Sequence, residues 1–362
     1  MIRKLQCAVV LALTWALVVT ANGGAAVTVS QQRLVASDPA PYANFGFDVD
    51  ISGSTAIVGA IQANREAGAA YVFVRGASSW RQQAKLAPPD AYDSQYFGES
   101  VAVSGNTAAV GTISDGNVYV YLRTTGRWRL QQELHTPASG YLALSGSTLV
   151  TEGGYVYLRS GSIWTRAAHL VPDLGYTAAG PVGVSGSLAV LSTTQGPGVV
   201  FRHDAAGWTQ EVRLGSPAGA GSPEVSVAGS SVVLCVKGFG GTAYQRHPGG
   251  GWDSQGTLTV PGLGAYNGVG ASCAINGTTA VLGAPGRLGH SGGIEVFHRG
   301  SAGVWSFSSE LHPASLRQND GLGSSLALSG SITRTGSTIL GGAPFLDGGA
   351  GSNIGAVFAF TH

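Results

Sequence analysis

The sequence predicts an all-β protein: a seven-bladed β-propeller of four-stranded antiparallel blades, closed by an N-terminal strand that completes the last blade. Three observations predict it. A hairpin turn recurs at Ser52-Gly53, Ser104-Gly105, Ser145-Gly146, Ser185-Gly186, Ala228-Gly229, Asn276-Gly277 and Ser329-Gly330, at intervals of 40 to 53 residues. Units of about 40–50 residues carrying four short strands are the pattern of propeller blades. The 362 residues include 57 Gly and only 11% charged residues, which suits short, tightly connected strands rather than long helices. Finally, the seven repeats carry six blade Trp, so one outer strand must come from elsewhere.

Each repeat reads as four segments. The first strand precedes the turn, as in "VAVS" (101–104) and "SLALS" (325–329). The Ser-Gly or Asn-Gly pair supplies the positive φ that primed hairpin turns need. The second strand follows, as in "TAIVGA" (55–60) and "TAVLGAP" (279–285). A loop of variable length leads to a third, Gly-led aromatic strand such as "GNVYVYLR" (116–123). The fourth opens with Trp80, Trp128, Trp164, Trp208, Trp252 or Trp305 and ends in Leu. A residue recurring at one position of every blade reads as packing between blades rather than as a carbohydrate-stacking set. The chain ends at "GAVFAFTH" (355–362), a third strand, and "VSQQRLVASD" (29–38) resembles "WRQQAKLAPPD" (80–90) without its Trp. The N-terminal segment therefore supplies the outer strand of the last blade and leaves no unpaired ends.

Residues 1–26 read as a secretory signal peptide, leaving 27–362 as the propeller. Arg3 and Lys4 precede an apolar run from Cys7 to Thr20, and the small residues "ANGGAA" (21–26) allow cleavage after Ala21 or Ala26. Fourteen apolar residues are too few for a stable membrane span. The mature chain then carries 18 Lys+Arg against 19 Asp+Glu, a net charge near −1 that offers no footprint for nucleic acid or anionic lipid. Secretion, a periplasmic location or the cell surface follows as the expected destination. The two mature cysteines, Cys235 and Cys273, sit in the apolar contexts "VVLCV" and "ASCAI". An oxidising compartment permits their pairing, while free buried Cys is also a common core residue. Asn276-Gly277-Thr278 spells a glycosylation sequon that the hairpin explains more simply.

These residues resemble the FG-GAP repeat family, named for Phe-Gly before the first strand and Gly-Ala-Pro after the second. "NFGFDVDISGSTAIVGA" (44–60) and "YFGESVAVSGNTAAVGT" (96–112) carry the Phe-Gly, and "TAVLGAPG" (279–286) and "ILGGAP" (339–344) the Gly-Ala-Pro. Repeats three to five have lost most of both. The family includes the integrin α-subunit head and many bacterial secreted proteins, so the resemblance implies a propeller used for extracellular binding. Its calcium-binding members hold an Asp-rich loop between the first two strands of a blade. Here that connection is a two-residue turn, too short to wrap a hard cation. The chain resembles the short-turn bacterial subtype, and no cofactor is expected, calcium included. Asp48 and Asp50, at alternate positions of the first strand, are weak metal candidates that read more simply as inert carboxylates on a solvated face.

No nucleophile elbow, zinc motif or phosphate loop is present in the sequence. The expected function is non-catalytic recognition of an extracellular protein or carbohydrate by a monomer, through the face where loop lengths vary. Candidate ligand-binding residues there are Tyr42, Tyr92, Tyr96, Tyr176 and Tyr266, in the fourth-to-first connections, with Arg65, Asp115, Arg287, His290 and Asp347 in the second-to-third connections. Tyrosines on adaptable loops combine large contact area with a polar tip, though some of these rings serve equally to pin their loops. The alternative is a lectin, or a hydrolase or lyase acting on a polysaccharide, with its site in the central channel. The first strands offer Asp48, Asp50, Glu99 and Glu224 for it.

Overall fold

The computed structural model describes residues 15–19, 27–113, 115–138, 140–173, 175–194, 196–216, 221–263, 267–330 and 336–362. Seven sheets, each built on four antiparallel strands, form the ring. Blade 1 comprises Phe45–Ser52, Thr55–Ala60, Ala69–Arg75 and Trp80–Leu86. Blade 2 comprises Val101–Ser104, Thr107–Gly111, Asn117–Thr124 and Arg127–His135. Blades 3 to 6 begin at Leu142–Ser145, Ala178–Ser185, Glu224–Ala228 and Cys273–Asn276, each followed by three further strands. Blade 7 takes Leu326–Ser329, Thr338–Ala343 and Ala356–Thr361 from the C-terminus, and Val27–Leu34 pairs antiparallel with Ala356–Thr361 as its outer strand. Both ends of the propeller are thus tied into one sheet. Trp15–Val19 adds a fifth strand outside Val27–Leu34, within the segment read as a leader.

The first strands are innermost and the Trp-led strands outermost. Second strands are buried on both faces, as in Thr55–Ala60 and Thr338–Ala343, which explains their Ala, Val and Gly content. Each core cluster joins neighbouring blades: Phe97 and Tyr119 of blade 2 pack with Ile57 and Val72 of blade 1. Trp80, Trp164 and Trp305 are buried in this packing.

The turns place the recurrent Ser differently from the sequence reading. Ser52 pairs with Thr55, so it is the last strand residue and the loop is Gly53-Ser54. The Gly takes φ +59 at the first loop position, the requirement of a type II′ turn. Its amide, unpaired within the hairpin, is donated or offered outward. Gly105 N–H donates to Ser52 Oγ (3.0 Å), Gly146 to Ser104 Oγ (2.9 Å), Gly186 to Ser145 Oγ (3.1 Å) and Gly229 to Ser185 Oγ (2.9 Å). The repeated Ser-Gly is therefore a latch between consecutive blades. Ala228 has no hydroxyl to offer blade 6. There Ser226 Oγ accepts from Ile275 N–H, and a disulfide joins Cys235 of blade 5 to Cys273 of blade 6, with their Cα atoms 6.4 Å apart.

Two further clasps repeat toward the periphery. Arg75, Arg123 and Arg159, at or next to the ends of third strands, lie over Trp80, Trp128 and Trp164 at 5.9, 5.2 and 5.7 Å, and donate to Thr338, Thr55 and Thr107 of the preceding blade. Gln32 exchanges two hydrogen bonds with the Trp80 backbone, and Gln132 does the same with Trp164. Glutamines of "VSQQRL" and "WRLQQEL" are thus inter-blade contacts, and in "WRQQAKL" Gln82 reaches Ser37 while Gln83 accepts from Trp128 Nε1. The Phe-Gly segment is a fourth. Phe97 bridges Gly68 of blade 1 in parallel fashion, and Gly98, at φ +96, lies so close that an added Cβ would sit 2.5 Å from Ala69 O.

Two outcomes follow for stability. Gly98→Ala meets backbone and should cost about 3 kcal/mol or more, whereas Gly105→Ala, with open space around it, should cost only its left-handed strain of about 1 kcal/mol. Chemical denaturation distinguishes them, and equal costs would show that the Phe-Gly approach is not tight. Deleting residues 27–36 should lower the melting temperature of the whole ring, because blade 7 loses its outer strand; an unchanged transition would contradict closure.

Candidate functional site

Fourth-to-first and second-to-third connections open on one face, and several of the former dock on the preceding blade's loop. Tyr42 N–H donates to Ser352 O (2.8 Å), Tyr96 N–H to Glu66 O (2.8 Å) and Gly321 N–H to His290 O (3.0 Å). Among the described residues, twelve other than Gly have positive φ, and all but Thr125 lie in these loops: Tyr42, Asn44, Asn64, Arg65, Glu66, Ser94, Tyr96, Leu288, His290, Asn319 and Asn353. They fall in the arc from blade 6 through blades 7 and 1 into blade 2, where Leu322, Phe45 and Phe97 make the parallel bridges to Gly292, Gly355 and Gly68. Left-handed backbone of this kind concentrates at functional surfaces.

The candidates divide by what holds them. Tyr42 is 59% and Tyr92 45% exposed, with the Tyr92 hydroxyl donating to Asp115 Oδ2 (3.0 Å). Tyr96 is half-buried and donates to Glu66 Oε2 (3.0 Å), so it pins its loop to blade 1. Asp115 is exposed but occupied, accepting from Thr112 Oγ1, Asn117 N–H and Gln95 Nε2. These bonds hold its carboxyl below the ordinary range against the raising effect of burial. Arg287, expected on a binding surface, instead forms a largely buried ion pair with Glu295 and Glu310, anchoring the loop that carries His290. His290, Arg65 and Asp347 are exposed, and Asp347 accepts from Asn353 N–H (2.9 Å). Tyr176 stands apart at blade 4 beneath Arg213, 5.3 Å from its ring, which pairs with Asp173. Tyr266 lies outside the described residues.

The seven first strands enclose a central cavity of about 800 Å³. Asp48 and Asp50 face it, and the expectation of inert carboxylates on a solvated surface is corrected. Asp48 Oδ2 accepts from Val101 N–H (2.7 Å) and Asp50 Oδ2 from Val103 N–H (2.6 Å), so both stitch blade 1 to blade 2. Burial, and for Asp48 also the charge of Asp50, lift them to about 7 and about 6 despite those donors. Among the described residues no three His, Cys, Asp or Glu lie close enough to hold a metal ion. Glu99 and Glu224 join them on the cavity wall. Burial raises Glu99 to about 7, with Glu152 and Asp48 adding to it, and burial with Asp48 does the same for Glu224. Burial raises Tyr141 to about 12, and the charges of Glu224, Glu152, Glu99 and Asp48 add to it. Phe47, Tyr141 and Phe345 line the same cavity with partly exposed rings. Tyr141, Glu152, Phe47 and Phe345 escaped the sequence reading, since Glu152 lies past the second strand and no motif marks the rings.

The FG-GAP repeat profile matches residues 28–73 and 80–121. No curated protein sequence matches the chain. Two solved structures are similar in fold. One is entitled "Structure of U3-55K" (12% identity, TM-score 0.61, covering 92% of this chain and 98% of that one). The other is "Crystal structure of RRP9 WD40 repeats" (12% identity, TM-score 0.62, 96% and 99%). At that identity the likeness concerns the ring alone.

The channel acids set a pH dependence. A carboxyl whose folded pKa exceeds its unfolded value stabilises the fold below the unfolded pKa, and that stability is lost as pH rises through the folded value. For Glu99 and Glu224 the loss spans the range from their ordinary value near 4.5 to about 7. Glu99→Gln with Glu224→Gln should therefore raise the melting temperature at pH 8 and leave it unchanged at pH 4. A lower melting temperature at pH 8 would contradict this electrostatic account.

Proposed function

Because the chain is an FG-GAP repeat β-propeller, we propose that it is a secreted, non-catalytic scaffold that recognises a protein or glycan through its loop-rich face. The observation that carries the reading is the contrast between the two faces. One bears two-residue Gly-led turns in blades 1 to 6, four of them latched to the preceding blade. The other bears loops of varied length, held in left-handed conformations, with Tyr42 and Tyr92 presenting open rings. Amphipathic rings on pre-organised loops give contact area at low entropic cost. The rim's polar groups support binding rather than bond-making, since Asp115, Glu66 and Arg287 are committed to holding loops. Among the described residues no helix is long and apolar enough to cross a membrane.

The test begins with a screen of the mature chain against surface proteins and glycan arrays, with and without calcium. Tyr42→Ala with Tyr92→Ala should weaken binding by about 2 kcal/mol or more while costing the fold under about 1 kcal/mol each. Tyr96 is a poorer probe, because removing its bond to Glu66 frees the loop itself. Undiminished binding by the double variant would move the contact surface off this rim.

A further inference from the structure

The central cavity carries a site distinct from the rim. Among the described residues its wall includes Asp48, Asp50, Glu99 and Glu224 and not one Lys, Arg or His. Buried carboxylates are ordinarily paired or hydrogen-bonded, and an isolated buried charge is costly. Asp48 and Asp50 meet the rule through backbone donors, and Glu152 Oε1 accepts from Gly180 N–H (2.8 Å). Glu99 does not: its Oε2 is enclosed and accepts nothing. Glu224, on the opposite arc of the ring, has burial and the charge of Asp48 acting on it and no donor to offset them. Independently of the acids, Phe47, Tyr141 and Phe345 turn rings that are 37%, 43% and 45% exposed into this space. Aromatic faces attract cations, most strongly where water is thin.

We propose that the mouth of the central channel binds an organic ammonium cation, whose N–H groups satisfy Glu99 and Glu224 and whose alkyl part lies against Phe47, Tyr141 and Phe345. Donor set and size select this class. Among the described residues the carboxylates do not converge as a metal cluster, whereas an alkylammonium offers several donors to carboxylates and an apolar stem to the rings. A cavity of about 800 Å³ falls in the range of small-ligand sites. The same chemistry comes from a free alkyl diamine or from a lysine side chain that a partner inserts.

Titration calorimetry on the whole mature chain tests the site, with 1,5-diaminopentane, an acetylated lysine amide and its Nε-acetyl counterpart as probes, at constant ionic strength. Saturable binding of an ammonium probe is expected at pH 8, with the Nε-acetyl form silent. Binding should weaken at least about tenfold at pH 5, where Glu99 and Glu224 are protonated, with Asp48 and Asp50 the other acids of the wall and, among the described residues, no basic side chain lining it. Glu99→Gln with Glu224→Gln should abolish it at pH 8. Asp90→Asn with Asp93→Asn removes two exposed charges from a loop on the same face and should leave it unchanged. Preference for the diamine or for the lysine amide upholds the site and separates its two sources. Absence of binding by every ammonium probe, or equal binding by the Gln pair and the wild type, overturns it. The rim contact is untouched by either result, since it is read from Tyr42 and Tyr92.

Discussion

A ring of separate sheets stands or falls on how one blade holds the next, and here the innermost strands do it with side-chain oxygens. An inner strand has a paired edge toward its own second strand and an unpaired edge toward its neighbour. The amides on that free edge need acceptors, because buried donors left unmade cost about 1–3 kcal/mol each. Asp48, Asp50, Ser52, Ser100 and Ser104 supply them across the first two interfaces, to Val101, Val103, Gly105, Leu142 and Gly146. Repeats need Ser before the turn Gly for this reason, and the hairpin's chemistry is architectural.

The same constraint explains the arrangement of the periphery. Farther from the axis the blades diverge, and longer side chains bridge the widening gap: Arg over Trp to the neighbouring Thr, then Gln to the Trp backbone. Where one device lapses another stands in. At the junction of blades 5 and 6, Ala228 lacks a hydroxyl, and the Cys235–Cys273 bond crosses the interface instead. Once the ring is tied in this way, its loop face is free to vary, and its axis is left as an acid-lined space.

Blade number, strand order and closure were legible because they rest on local signals: a Gly after each first strand, a Trp before each fourth, and a Trp-less copy of that fourth strand at Val27–Leu34. The inter-blade roles were not, since each partner lies at least 32 residues away and, for Arg75 and Thr338, 263. Ser52 and Gln32 look like turn and surface residues until the next blade is in place. Arg287 and Asp115 were read as free for a ligand from loop position alone, whereas Glu295, Glu310, Thr112 and Asn117 had already engaged them. Asp48 and Asp50 show the same blindness in reverse: alternate positions on a strand read as solvated, but in a propeller the outward face of the first strand is the channel. The rim tyrosines Tyr42 and Tyr92 were found because an exposed aromatic in a loop needs no distant partner to stand out.

Latching by the turn serines can be measured directly by amide hydrogen exchange at residue resolution. The loop-Gly amides of a two-residue hairpin have no partner inside the hairpin and should exchange freely. The account predicts that Gly105, Gly146, Gly186 and Gly229 are protected by the preceding Ser hydroxyl, and that Gly277, preceded across the interface by Ala228, exchanges fast. Equal, rapid exchange at all five would contradict it and leave the blades held by apolar packing alone.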